Sequence, residues 1–170
     1  MTVPFVKSGT TEVPASRSQS ELERLLRRYG ASGFGVSSDY ATGTVRVFFR
    51  VPDAPKAPAN IPVRLEVNTK AVAEALFGKP RKAWERGRYV EHPTEQELAQ
   101  AERVAWRQLV LWVDAALSAA AAGVQKISEA FLAHTLVRGS EGQVLRVVDQ
   151  MDLAAGGNWR ALLPPPGEEK

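Results

Sequence analysis

The chain has 170 residues, 44% of them hydrophobic and 24% charged, with 22 Lys+Arg against 19 Asp+Glu and no cysteine. That length suits one well-buried core, and the composition is close to the globular average, which argues against general disorder. Disulfides and thiolate metal sites are excluded, a reducing cytoplasm fits, and no apolar stretch approaches the roughly 20 residues of a membrane span.

The modest net charge of +3 hides a segregation. Residues 17–88 carry 14 cations against 7 acids, whereas residues 89–170 carry 7 against 11. A basic half is the footprint expected of a polyanion binder, although many charged surfaces are merely solvated.

Residues 1–19, rich in Ser, Thr, Pro and Val and without a period, read as a flexible arm. Lys7 is present but no apolar stretch follows it, so this is not a secretion signal. Ser20-Glu21-Leu22-Glu23 has the capping-box form and predicts a helix start. Leu22, Leu25, Leu26 and Tyr29 then share a face, and Gly30 suits a left-handed cap.

Three extended stretches follow, Phe34 to Asp39, Thr44 to Val51 and Ile61 to Asn68, separated by Tyr40-Ala41-Thr42-Gly43 and by a Pro-rich loop from Pro52 to Asn60. Val45, Val47, Phe49 and Val51 alternate on one side, as do Ile61, Val63, Leu65 and Val67, and that side is the expected core. The opposite side then presents Arg46, Phe48, Arg50 and Arg64, which reads either as cations flanking an aromatic or as an ordinary polar face.

A short helix capped by Thr69 is expected over Thr69 to Phe77. The connector after it holds Lys79, Arg81, Lys82, Arg86 and Arg88 against Glu85 alone, with Trp84 inside and Tyr89 adjacent. Interleaved cations and rings suit single-stranded nucleic acid, because charges follow phosphates and rings offer stacking faces. The alternative is a solvated loop whose Trp84 docks on the core.

Thr94-Glu95-Gln96-Glu97 is a second capping box and opens the longest helix, running to near Gly123. Its apolar surface, from Leu98 through Leu109 and Trp112 to Leu117, is wide enough to serve the sheet on one side and another helix or subunit on the other. A further helix over about Gln125 to Leu136 is expected. The pattern from Val137 to Val148 leaves open a hairpin around Gly139-Ser140-Glu141-Gly142 or a loop leading into a helix. These elements define an α+β domain over residues 20–163: a three-stranded antiparallel sheet on a long central helix, with an N-terminal helix, further C-terminal helices and a disordered tail at 164–170.

Catalytic signatures are sparse. His92 and His134 are the two histidines and neither has metal-ligand spacing; no nucleophile elbow, Walker loop or dinucleotide fingerprint occurs. No metal or cofactor is expected. Asp39 and Glu66 on adjacent strands keep a metal-dependent nuclease as an alternative, but Asn68 stands where that motif wants lysine.

Two blocks, residues 22–31 leading to Gly33-Phe34-Gly35, and Ala105-Trp106-Arg107-Gln108-Leu109 continuing to Glu129-Ala130-Phe131-Leu132-Ala133-His134, resemble a family of small uncharacterised proteins encoded by phages and prophages. That resemblance implies phage origin and a host-cytoplasmic setting, and it supplies no activity for the chain. The order helix, three-stranded sheet, basic connector, long helix is also similar to the core of single-strand annealing recombinases of the Erf and RecT types. It implies oligomers that lay DNA along a groove between sheet and helix, where Arg46, Phe48, Arg50, Arg64 and the connector would fall. Fold-level analogy does not settle function. The expected function is therefore non-enzymatic binding or annealing of single-stranded DNA by a cytoplasmic homo-oligomer, with a phage interaction or structural assembly module as the runner-up.

Overall fold

A computed structural model describes residues 9–53, 60–85, 87–138 and 142–155. Residues 1–8 of the expected arm, most of the Pro-rich loop and the expected tail lie outside the described residues.

Helix α1 spans Ala15–Arg28 and starts a turn earlier than its sequence suggests. Pro14 takes the cap position, and Ser20 is interior, its hydroxyl donating to the Ser16 carbonyl. The extra turn is held because Ser18 is fully buried, Ala15 packs on the core, and Gln100 donates to the carbonyls of Gly9 and Thr11 just upstream. The helix closes as expected on Gly30 at φ +82°, with the amide of Ala31 bonded five residues back to Leu26.

Strands β1 (Gly33–Asp39), β2 (Thr44–Pro52) and β3 (Asn60–Asn68) form an antiparallel meander in that order. The β1–β2 turn is tied by the Asp39 carboxylate, which accepts from the amides of Ala41 and Thr42. Strand period then sorts the residues as their pattern predicts. Val45, Val47, Phe49, Val51, Val63 and Leu65 are buried on one side, with Phe34 opposite Phe49 in register.

Helix α2 (Thr69–Phe77) follows β3, capped by Asn68 rather than Thr69. Asn68 accepts from the amide of Ala71, while the Thr69 hydroxyl instead donates to Gly43. The basic connector contains a hairpin, β4 (Arg81–Glu85) with β5 (Arg88–His92), with Gly87 at φ +81° before β5. The capping box on Thr94 forms and opens α3 (Glu95–Ala121), which spans about 40 Å at 1.5 Å per residue. Its buried stripe of Trp106, Val110, Val113 and Leu117 packs, with Leu22 and Leu26 of α1, under the sheet.

The helix expected over 125–136 is shorter. Helix α4 (Ile127–Phe131) tightens into a 3-10 turn, Leu132–His134. Phe131 explains the break: it is fully buried, edge-on to Phe49 at 5.5 Å and to Trp112 at 5.4 Å, so the chain has reached the sheet edge. There Thr135 bridges Val63 of β3. Of the two readings of 137–148, the hairpin is the one observed, and a helix follows its second strand without an intervening loop. Strands β6 (Leu136–Arg138) and β7 (Val144–Arg146) pair, and α5 (Val147–Ala155) begins at once.

Candidate nucleic-acid interface

The side of the sheet away from α3 was expected to be an open cationic surface. Period 2 does place Arg46, Phe48 and Arg50 there, with Arg64 opposite Phe48 and Glu66 opposite Arg46. Glu66 changes the electrostatics. Its carboxylate receives Arg46 at 2.9 Å, lies 3.2 Å from Nε of Arg64, and meets Arg146 at 3.2 Å. Asp149 of α5 takes Arg64 at 3.0 Å and Arg146 at 2.6 Å. The Arg64 Nε contact is a charge contact without hydrogen-bond alignment, so that buried nitrogen is held only by attraction. Three arginines thus share two carboxylates under cover of α5, and the Arg64 side chain retains 19% exposure. The Arg146 hydrogen bonds hold the Asp149 carboxyl below its usual range, and the same contact raises the Arg146 guanidinium. The sheet face is therefore a closed ion-pair network rather than an open cationic track. Arg50 is exposed at its far end, about 13 Å along β2 from Arg46. Half-buried Phe48 lines a shallow cleft with Gly35, Pro62 and Leu136.

His134 sits at the border of this network. Its ring is edge-on to Trp112 at 5.4 Å, its Nδ1 is buried without a partner, and burial, then Arg146, pushes its pKa down while Asp149 and Glu66 oppose the shift.

The hairpin residues behave differently. Direct cross-strand partners share a face, so Lys82, Trp84, Tyr89 and Glu91 stand together on one side and Ala83, Val90 and His92 on the other. The second side is half-buried. On the first, Trp84 is 64% and Tyr89 73% exposed, their rings edge-on to each other at 4.9 Å. Trp84 therefore does not dock on the core. Lys82 pairs with Glu91 at 2.9 Å in full solvent, a contact of little energy. Arg81 donates to the Phe77 carbonyl and Lys79 is exposed. Arg86 lies outside the described residues, and Arg88 opens β5. The hairpin base is fixed by His92, whose Nδ1 is 3.0 Å from Glu97 in the first turn of α3. The amide of Thr94 is the largest influence holding the Glu97 carboxyl low.

The two acids weighed for a nuclease are apart in role as well as place. Asp39 caps its own turn, and Glu66 is occupied by arginines. Among the described residues no three His, Asp or Glu side chains come together to hold a metal ion. Nor is any helix among them long and apolar enough to cross a membrane.

Fold and site together define an α+β domain with an ion-paired sheet face and a hairpin that carries two exposed aromatic rings. No protein-family model, curated protein or solved structure matches the chain. The site is thus read from its own geometry. Sequence reasoning missed Glu66 and Asp149 as counter-charges. For Glu66 the signal was there, since pairing the two strands by their core residues sets it across from Arg46.

Proposed function

We propose that the protein is a non-enzymatic, cytoplasmic binder of single-stranded nucleic acid that grips bases with the β4–β5 hairpin. The observation that supports this reading best is the exposure of two adjacent aromatic rings, Trp84 and Tyr89, on one face of a hairpin whose sequence is rich in cations. Exposed ring pairs cost free energy in water unless something covers them, and nucleobases offer flat apolar faces at about 1–3 kcal/mol per stacked base. Lys82 stands on the same face as those rings, Lys79 and Arg81 lie at or just before the start of β4, and single-stranded DNA is taken as the ligand. Annealing of complementary strands is the finer form of the proposal, with bases held on the hairpin and left accessible at their pairing edges.

Fluorescence anisotropy with a labelled oligothymidylate tests the reading. Wild type binds at low salt, and a Trp84→Ala/Tyr89→Ala variant is weakened roughly tenfold to a hundredfold per lost stack. Absence of wild-type binding at low salt overturns the proposal.

A second reading, an assembly module that forms homo-oligomers, is favoured by a different feature. Between α2 and α3 lies an apolar cleft of about 340 Å³ lined by Val67, Val72, Leu76, Leu109 and Trp112, and Trp112 is 40% exposed at its rim. Sedimentation measurements on Trp112→Ala separate the two: loss of oligomers with DNA binding intact assigns the cleft to assembly.

A further inference from the structure

Of the cations expected to track phosphates on the sheet, Arg46 and Arg64 are tied up in ion pairs, but another set is not. Arg17, Glu21, Arg24 and Arg28 recur at helical spacing on α1, and the three arginines fall within an arc of about 40° around its axis. They line a cleft of about 550 Å³ whose floor is Leu25 and Val110 and whose far wall is α3. Parallel packing sets the two helices in step: Glu21 meets Arg107 at 2.8 Å, Arg28 approaches Asp114 at 3.8 Å, and Tyr29 lies 3.4 Å from Ser118. One turn before Arg107 on α3, Arg103 bonds the Gln100 side chain. Three arginines therefore line this groove, with Arg107 reaching Glu21 at its edge, against the two carboxylates of Glu21 and Asp114. Arg17 and Arg24 have no carboxylate partner among the described residues, and the Arg28 contact is long and exposed.

We propose that the α1–α3 groove is a second contact surface for the same nucleic acid and binds its phosphate backbone, the bases being held by the hairpin. This rests on the reading above. The guanidinium fork matches phosphate oxygens, and Arg17 to Arg28 spans about 16 Å, room for on the order of three successive phosphates. Continuity supports one ligand. The α3 stripe of Arg107 and Arg103 leads back to Gln100, one turn from Glu97, which anchors the last residue of the hairpin. An acidic polypeptide would also be attracted by charge, but the groove offers it only Leu25 and Val110 as apolar footing.

The test is anisotropy against salt for wild type, Arg17→Gln/Arg24→Gln/Arg28→Gln and Trp84→Ala/Tyr89→Ala, each checked for native circular dichroism. The substituted arginines are exposed, so the fold is retained. Each lost phosphate contact lowers the slope of log affinity against log salt by about 0.7 on single strands. The arginine triple variant is expected to lose about 2 units of slope, hence about 100-fold in affinity at 0.1 M salt relative to convergence near 1 M. The aromatic double variant weakens binding with its slope unchanged. Wild-type binding with an unaltered slope in the triple variant overturns the groove and leaves the hairpin reading intact. No wild-type binding overturns both. If polyglutamate binding depends on the three arginines and oligonucleotide binding does not, the groove belongs to an acidic protein and the inference fails.

Discussion

Trp84 and Phe131 carry large aromatic side chains into opposite environments. Phe131 is fully buried between Phe49 and Trp112, whereas Trp84 touches Tyr89 and solvent. Phe131→Ala is accordingly expected to cost about 3–5 kcal/mol in urea unfolding, by lost transfer free energy and the cavity left behind. Trp84→Ala should stay within about 0.5 kcal/mol of wild type. A large stability loss in Trp84→Ala would mean that the ring supports the fold rather than a ligand. Gly43 marks a different constraint. It sits at φ +71°, and a Cβ there would meet Lys70 Cγ at 2.7 Å. The lysine can swing away, but the backbone cannot, so Gly43→Ala should destabilise by about 1–2 kcal/mol.

The elements differ in how far the residues announced them. Strands β2 and β3 were legible because their alternation is uninterrupted and one face meets α1 and α3. The capping box of α3 was legible because its bonds are local, Thr94 to Glu97 and back. The start of α1 was not, because Gln100 and a buried Ser18, both tertiary features, extend it past the local signal at Ser20. The C-terminal unit is the least local of all, being held by Asp149 and Arg146 against β3, and its docking should depend on pH. His134 faces Arg146, Asp149, Glu66 and the Trp112 ring, and burial lowers its pKa from 6.5. Asp149 is lowered from 3.8, chiefly by Arg146. Each group binds its proton less readily in the folded chain than when released, so acid favours release. The His134 contribution is intact above pH 6.5 and erodes as pH falls through the lower folded value; the Asp149 contribution erodes only below 3.8. Amide exchange in β6, β7 and α5, corrected for intrinsic rates, should therefore accelerate in two steps on acidification. His134→Gln should remove the first step and keep the second. Exchange unchanged between pH 7 and pH 5 would contradict the assignment to His134.

For the whole molecule, the question is where folding sends the basic half of the chain. Composition showed the excess of cations over residues 17–88, and three destinations emerge from the fold: the sheet face, the hairpin and the α1–α3 groove. Strand period correctly put Arg46 and Arg64 on one face but could not reveal that Asp149, 85 residues beyond Arg64, returns to neutralise it. Helical spacing of Arg17, Arg24 and Arg28 was visible in the sequence, yet its worth depended on α3 arriving parallel to α1. Glu66→Gln tells these destinations apart. The substitution keeps the volume and removes the charge shared by Arg46, Arg64 and Arg146, which should cost about 1–3 kcal/mol, since the site is partly buried and solvent screens part of the loss. It also leaves the sheet face one charge more positive. If phosphates run along the hairpin and the α1–α3 groove, the salt slope of oligonucleotide binding stays at the wild-type value despite that added charge. A slope steeper by about 0.7 would mean that a phosphate lies on the sheet, and the track would have to be redrawn across β2 and β3.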